Sequence, residues 1–434
     1  MSDSSVRSPT MTEVPFEKVT PPEDGTMEKA GITKDVPRSQ DESHSAYPPH
    51  SIPNGDENLQ SPAENHTLAR VHFFTLCLTL FLAGWNDGTL GPLLPRIQQV
   101  YKVNYTIVSM IFIFACTGFI SGSIVNIYIT DRFGFGKTIV FGALCQVVAY
   151  SIQCTAPPFP VFVAQAMGFV ASLRHRPEVK MSFLTSAYGV GAFIAPLVST
   201  QFAILPRWSF YFLVSLSLAL TNTTLLCLVF KFKRQDAVKF YLPAFRECLQ
   251  EAGEILPGRP ASRDGNSFGM VMRNRSAHIM ALFTLVYVGV EVTIGGWSVT
   301  FIRNVRGGGP SSGYISSGFF GGLTVGRILL LWVNSKIGER LVVFIYAFLA
   351  LSLEFVVWFV PSLIGDAIAV SIVGLLLGPM FPIIMNQSKH IIPRRILTAS
   401  IGWISGLGQA GSALFPFITG ALAEKHGIKS LQPT

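Results

Sequence analysis

Ten long apolar runs decide what this chain can fold into. Residues 71–94, 107–128, 138–156, 181–203, 209–230, 277–301, 313–333, 341–360, 364–385 and 396–421 hold between them only five Asp, Glu, Lys or Arg: Asp87, Glu291, Arg327, Glu354 and Asp366. Each run reaches or approaches the ~20 apolar residues that carry a helix across ~30 Å of hydrocarbon. Charged residues are 13% of the 434-residue chain and mean hydropathy is +0.44; ordinary globular proteins carry about 25% charged residues. A soluble enzyme, a DNA-binding protein and a secreted disulfide scaffold are excluded. The expected class is an all-α membrane protein.

The net charge of +8 sits in loops, which reads as membrane orientation rather than nucleic-acid binding. A weaker apolar segment, 159–173, is short for a span at about 22 Å of helix. Counting it as the fourth of eleven spans puts twenty Lys and Arg on one side and seven on the other. Basic loops stay in the cytoplasm, so that count supports the eleven crossings. The amino terminus and the 231–276 loop then lie inside. Residues 1–70 carry 12 acidic residues, 6 basic ones and nine Pro, and read as a disordered cytoplasmic tail. The six cysteines, Cys77, Cys116, Cys145, Cys154, Cys227 and Cys248, form no C-x-x-C pair, so no metal site or disulfide framework is indicated.

The halves of the chain repeat. Gly84 to Gly91 in the first span aligns with Gly289 to Gly296 in the seventh, placing Asn86 on Glu291. Asp131-Arg132-Phe133-Gly134-Phe135-Gly136-Lys137 has its counterpart in Ser335-Lys336-Ile337-Gly338-Glu339-Arg340. Gly191 and Pro196 align with Gly411 and Pro416. Such repeats are a feature of secondary transporters, which bind their solute between pseudo-symmetric halves. The expected organisation is a tail (1–70), a six-helix bundle (71–230), a cytoplasmic loop (231–276) and a five-helix bundle (277–434).

Asp131 to Lys137 resembles the D-R-x-G-[RK]-[RK] loop of the major facilitator superfamily, with Phe135 and Gly136 departing from its basic pair. Gly189 to Pro196 is similar to that family's Gly/Pro-rich gate helices. Asn86-Asp87-Gly88, Tyr287 to Glu291 and Gly296-Trp297 resemble the fucose-permease-like branch. The resemblance implies a two-bundle helical transporter that works by alternating access. Family members have twelve helices. Here the fourth is short and a twelfth is absent, and the fourth lacks the carboxylate that sugar–proton members often carry. The expectation is therefore a weakened carrier.

Asp87 and Glu291 are the proton or solute candidates. An ionised carboxylate in hydrocarbon costs at least ~2.5–3.5 kcal/mol, so each should face a wet cavity or titrate. Sugar-like solutes need amide or carboxylate hydrogen bonds and an aromatic wall, which Asn86, Trp297, Asn386, Gln387, Trp403 and Gln409 could supply. Asp131, Arg132, Gly134 and Lys137 are expected to form a gate loop, with Arg327 a gate partner. Glu354 and Asp366 are placed near the outer interface. The expected function is secondary transport of a small polar solute, coupled to protons. The competing reading is a non-transporting sensor or an inactive truncated isoform. No G-x-x-x-x-G-K-[ST] loop is present, which disfavours an ATP-driven pump. The expected partners are the solute, the proton and the lipid bilayer, with no cofactor and no nucleic acid. The expected state is a monomer in the plasma or vacuolar membrane.

Overall fold

Hydrocarbon admits only backbones that satisfy their own hydrogen bonds, and each apolar run folds as helix wherever it is described. The computed structural model describes residues 62–133, 135–164, 181–230, 267–393 and 395–431. The helices are α1 (Pro62–Tyr101), α2 (Tyr105–Phe133), α3 (Phe135–Cys154), the start of α4 (159–164), α5 (Met181–Ile204) and α6 (Tyr211–Phe230). After a short helix, Ser267–Arg273, come α7 (Arg275–Val305), α8 (Tyr314–Leu329) and α9 (Glu339–Phe359). α10 is Leu363–Leu377 continued by Met380–Ile391, and α11 is Leu397–His426. α8 bends by 51° into a further segment, Leu331–Ile337. Among the described residues, seven helices are long and apolar enough to span, and the bent α8 pair makes an eighth. Two further helices, α1 and α11, are 40 and 30 residues long.

Some expected boundaries move. Residues 62–70, read as tail, continue α1, and 267–273, read as loop, form a helix. Val271 of that helix is fully buried against Ala277, Ala281, Ile384 and Ile404, so the end of the loop is anchored. Residues 1–61, 165–180 and 231–266 lie outside the described residues, and with them the length of the fourth span and most of the expected tail and loop.

The repeat has a packing cause. α1 packs on α5, and α7 packs on α11. A Cβ on Gly84 would overlap the Tyr188 carbonyl, and one on Gly191 the Phe81 carbonyl. In the second half a Cβ on Gly411 would overlap the Leu285 carbonyl, while one on Gly289 would press on the Phe415 ring. Gly84 and Gly289 are repeat partners, as are Gly191 and Gly411. Each half thus crosses its first and fifth helices backbone to backbone at glycines. Dispersion, rather than water exclusion, drives helix association in lipid, and small residues permit the close approach it needs.

Polar side chains complete the first half. Trp85 Nε1 donates to Ser215 Oγ at 2.9 Å, and its ring stacks on Tyr211 at 5.8 Å, fastening α6 to α1. In the second half Arg306 Nε donates to Asp366 Oδ2 at 2.9 Å, with Asp366 only 1% exposed. The same guanidinium reaches the Trp358 carbonyl, so it joins the ends of α7 and α9 to the start of α10. Glu354 lies beside Asp366. Gly191→Val is expected to cost about 1–3 kcal/mol or more by overpacking, whereas Gly402→Val, whose Cβ meets open space, should be near neutral. Thermal unfolding of the purified variants in detergent checks the contrast, and equal melting points would contradict it.

Candidate functional site

The two halves meet along α2–α11, α5–α8 and α1–α7. Hydrogen bonds between them gather at one end. The Tyr105 amide at the start of α2 donates to Glu424 Oε2 near the end of α11, at 2.9 Å. Asn304 Nδ2 donates to Tyr105 Oη at 3.0 Å, and the Gln201 amide donates to the Tyr314 hydroxyl. Glycines let the backbones close there: a Cβ on Gly420 would press on Ser109, and one on Gly313 on Thr200.

Towards the other end α2 and α11 part. A Cβ on Gly402 or Gly406 of α11 would meet nothing within 4 Å. On α2, Thr117, Ser121, Ile124 and Tyr128 form an exposed stripe at helical spacing. The opening faces the Lys- and Arg-rich ends of the helices, those that carry Arg132, Lys137, Lys336 and Arg340.

The membrane-buried charges meet at the base of this opening, midway along the helices. Asp87, midway along α1, is exposed, which a helix packed on every side would not allow. Tyr188 Oη of α5 donates to Asp87 Oδ2 at 2.7 Å, and Asn86 supplies a second hydrogen bond. Glu291 on α7 interacts with the Arg327 guanidinium of α8 and with Tyr287, one turn earlier on its own helix. Arg327 in turn lies over the Tyr188 ring, 5.7 Å from its centroid, so a cation–π contact joins the halves. Asp87 and Glu291 are within electrostatic reach of one another.

The structure therefore brings together Asp87, Asn86, Glu291 and Arg327. Arg327 sits at this centre rather than at the gate loop, because the bend in α8 falls after it. Gln409 shares the open face of α11 with Gly402 and Gly406, at i+7 and i+3. Four other expected solute contacts lie elsewhere. Trp297 is fully buried and donates to the Pro416 carbonyl at 3.1 Å, fixing α7 to α11. Asn386 and Gln387 donate to the two Glu339 carboxylate oxygens at 2.7 and 2.6 Å, clamping the last turns of α10 to the start of α9. Trp403 Nε1 donates to His278 Nδ1 at 3.2 Å, which leaves Nε2 to donate to the Met272 carbonyl at 2.9 Å.

In the expected gate loop, Gly134 and the Asp131 side chain lie outside the described residues. Arg132 donates to Tyr128 on its own helix at 3.1 Å, and Lys137 is exposed. Its counterpart loop turns at Gly338 with φ +93°, a conformation that excludes most L side chains. Sequence reasoning did not assign Tyr188 or Tyr287 to the site. The i, i+4 spacing of Tyr287 and Glu291 signals one helix face. Tyr188, 101 residues from Asp87, had no such signal.

Residues 76–416 match the family model described as the Major Facilitator Superfamily. Bypass of stop codon protein 6 of Saccharomyces cerevisiae is 25% identical over 389 residues, 81% of this chain and 77% of that protein. The glucose/galactose transporter of Brucella abortus is 25% identical over 386 residues, covering 82% and 88% of the two chains. Among solved structures, a bacterial homologue of the human lysosomal transporter Spinster, inward-facing and unoccupied, superposes with a TM-score of 0.62. It is 12% identical, and the match covers 84% of each chain.

Proposed function

Because the chain belongs to the Major Facilitator Superfamily, we propose that it is a proton-coupled secondary carrier of a sugar-like solute, whose two halves rock to give alternating access. It is an integral, multi-pass membrane transporter. The observation that carries the finer reading is the facing of two carboxyl sites across the halves. Asp87 with Tyr188 comes from the first half, and Glu291 with Arg327 from the second, at the base of an opening closed beyond them.

The two carboxyl groups have different partners. Glu291 has a cation beside it in Arg327. Asp87 is held by the neutral groups Tyr188 and Asn86. A carboxylate without a countercharge at mid-membrane is costly, so Asp87 is the group that takes up a proton when the site closes. Asn86, Gln409 and the Tyr188 hydroxyl offer the donors and acceptors that solute hydroxyls require, and the Tyr188 ring offers a wall. A sugar fits this set, and a relative in Brucella abortus bears the name glucose/galactose transporter.

In this reading the opening faces the cytoplasm, where the basic loops lie, and the amino terminus is on the same side. Solute would leave through the separated inner ends of α2 and α11. The outer hydrogen bonds of Tyr105, Glu424 and Asn304 break when the halves rock. The test is uptake of labelled glucose and galactose into vesicles holding the purified chain, under an imposed proton gradient. Saturable accumulation that collapses with a protonophore is expected. Accumulation unaffected by the protonophore would remove proton coupling, and no saturable flux of either sugar would remove the sugar reading.

A further inference from the structure

We infer that Tyr287 is a positioning residue that lets the inner segment of α10 sense the charge on Glu291. α10 is interrupted at Gly378-Pro379 between Leu363–Leu377 and Met380–Ile391. Pro379 has no N–H, so the Leu375 carbonyl loses its helical donor, and the ladder restarts with Ile383 N–H donating to the Pro379 carbonyl at 3.1 Å. Hydrocarbon offers no water to carbonyls at such a break, and protein groups must satisfy them. Tyr287 does so for the Leu377 carbonyl, the last of the segment before the break, donating its hydroxyl at 3.2 Å from a position only 4% exposed.

The same hydroxyl is also in hydrogen-bonding reach of Glu291 and Arg327. The break lies against these residues: a Cβ on Gly378 would press on the Leu323 carbonyl and the Arg327 amide. A phenol has one proton to donate. Leu377 and an ionised Glu291 compete for it, and hydrogen bonds to a carboxylate are roughly twice as strong as neutral ones. A neutral Glu291 competes less and can itself donate to the tyrosine oxygen, leaving the phenol proton on Leu377. Neutralising Glu291 therefore tightens the Tyr287–Leu377 bond, and ionising it loosens the bond. The groups facing Glu291 from neighbouring helices are Arg327 of α8, Asp87 of α1 and Tyr188 of α5. The segment beyond the break is the one clamped to Glu339 through Asn386 and Gln387. Charge at the centre thus bears on the inner end of the second half.

The inference rests on the carrier reading for its consequence in flux, but its test needs no flux. Amide hydrogen exchange of 380–391 is followed in the purified full chain, with 341–357 of α9 as the internal control. Glu291→Gln, which keeps shape and removes charge, is expected to slow exchange in 380–391 by about threefold or more at neutral pH. In the Tyr287→Phe background the same substitution should change it by less than that. Should Glu291→Gln fail to fold, exchange across a pH series in the wild type replaces it. The 380–391 rates, corrected by the control, should then vary with pH in the wild type and not in Tyr287→Phe. An equal response in both backgrounds overturns the inference, as does a wild type whose 380–391 rates respond to neither change. Absence of uptake with this exchange response intact would count against the carrier reading alone.

Discussion

Asp87→Asn is expected to abolish accumulation against a gradient while leaving downhill exchange of solute. Asn keeps the shape and can still accept a hydrogen bond from Tyr188, but it cannot take or release a proton. A carrier whose proton site is always neutral can still rock with solute bound. It cannot draw on the gradient, so the steady-state ratio of inside to outside solute should fall to about one, a loss of about 1.4 kcal/mol for every tenfold of accumulation. Expression should be near normal, because Asp87 neutralises no cation in the described site. Glu291→Gln should behave differently. It leaves Arg327 without the acidic partner on α7, and a cation in hydrocarbon costs at least ~2.5–3.5 kcal/mol. That variant should lose folded protein as well as flux, and Glu291→Gln with Arg327→Gln should recover folded yield. Paired measurements of gradient-driven uptake, counterflow and detergent-extracted yield separate the two carboxyl groups. Undiminished accumulation by Asp87→Asn would move the proton site elsewhere.

Gly406→Leu is expected to hold the protein open on the cytoplasmic side. In the present arrangement a side chain at 406 enters open space, so folding and thermal stability should be preserved. To reach the outward-facing state, the inner half of α11 must close on Ser121, Ile124 and Tyr128 of α2. At the closed outer ends the two helices meet through Gly420 and Ser109, with no room for a Cβ. Leucine at the equivalent inner seat would hold the helices apart by several ångströms of side chain. Uptake should fall tenfold or more, which corresponds to about 1.4 kcal/mol or more against the outward-facing state. Labelling of a cysteine placed at Ser121 should stay high in this variant, whereas in the wild type it should decline when external solute is added. Normal uptake by Gly406→Leu would show that α2 and α11 do not close there.

The apolar runs, the division into two similar halves and the presence of Asp87 and Glu291 inside apolar runs were legible in the sequence. Hydrocarbon imposes these along the chain: span length and the cost of an intramembrane carboxylate are properties of residues in order, whatever their neighbours. The repeat showed even in single glycines, because Gly84, Gly191 and Gly411 meet backbone carbonyls that leave no room for a Cβ, and Gly289 meets the Phe415 ring. Partners were not legible. Asn386, Gln387, Trp297 and Trp403 had the right chemistry for a solute, yet they are spent on Glu339, the Pro416 carbonyl and His278. Arg327 had the position of a gate residue and turned out to lie over Tyr188. Which face of a helix reaches the centre depends on how the helices rotate and cross, and every face of these spans is apolar enough to meet lipid. The pairing of Asp87 with Tyr188, and of Glu291 with Arg327 and Tyr287, was therefore decided only when the glycine crossings set the rotation of α1, α5, α7 and α8.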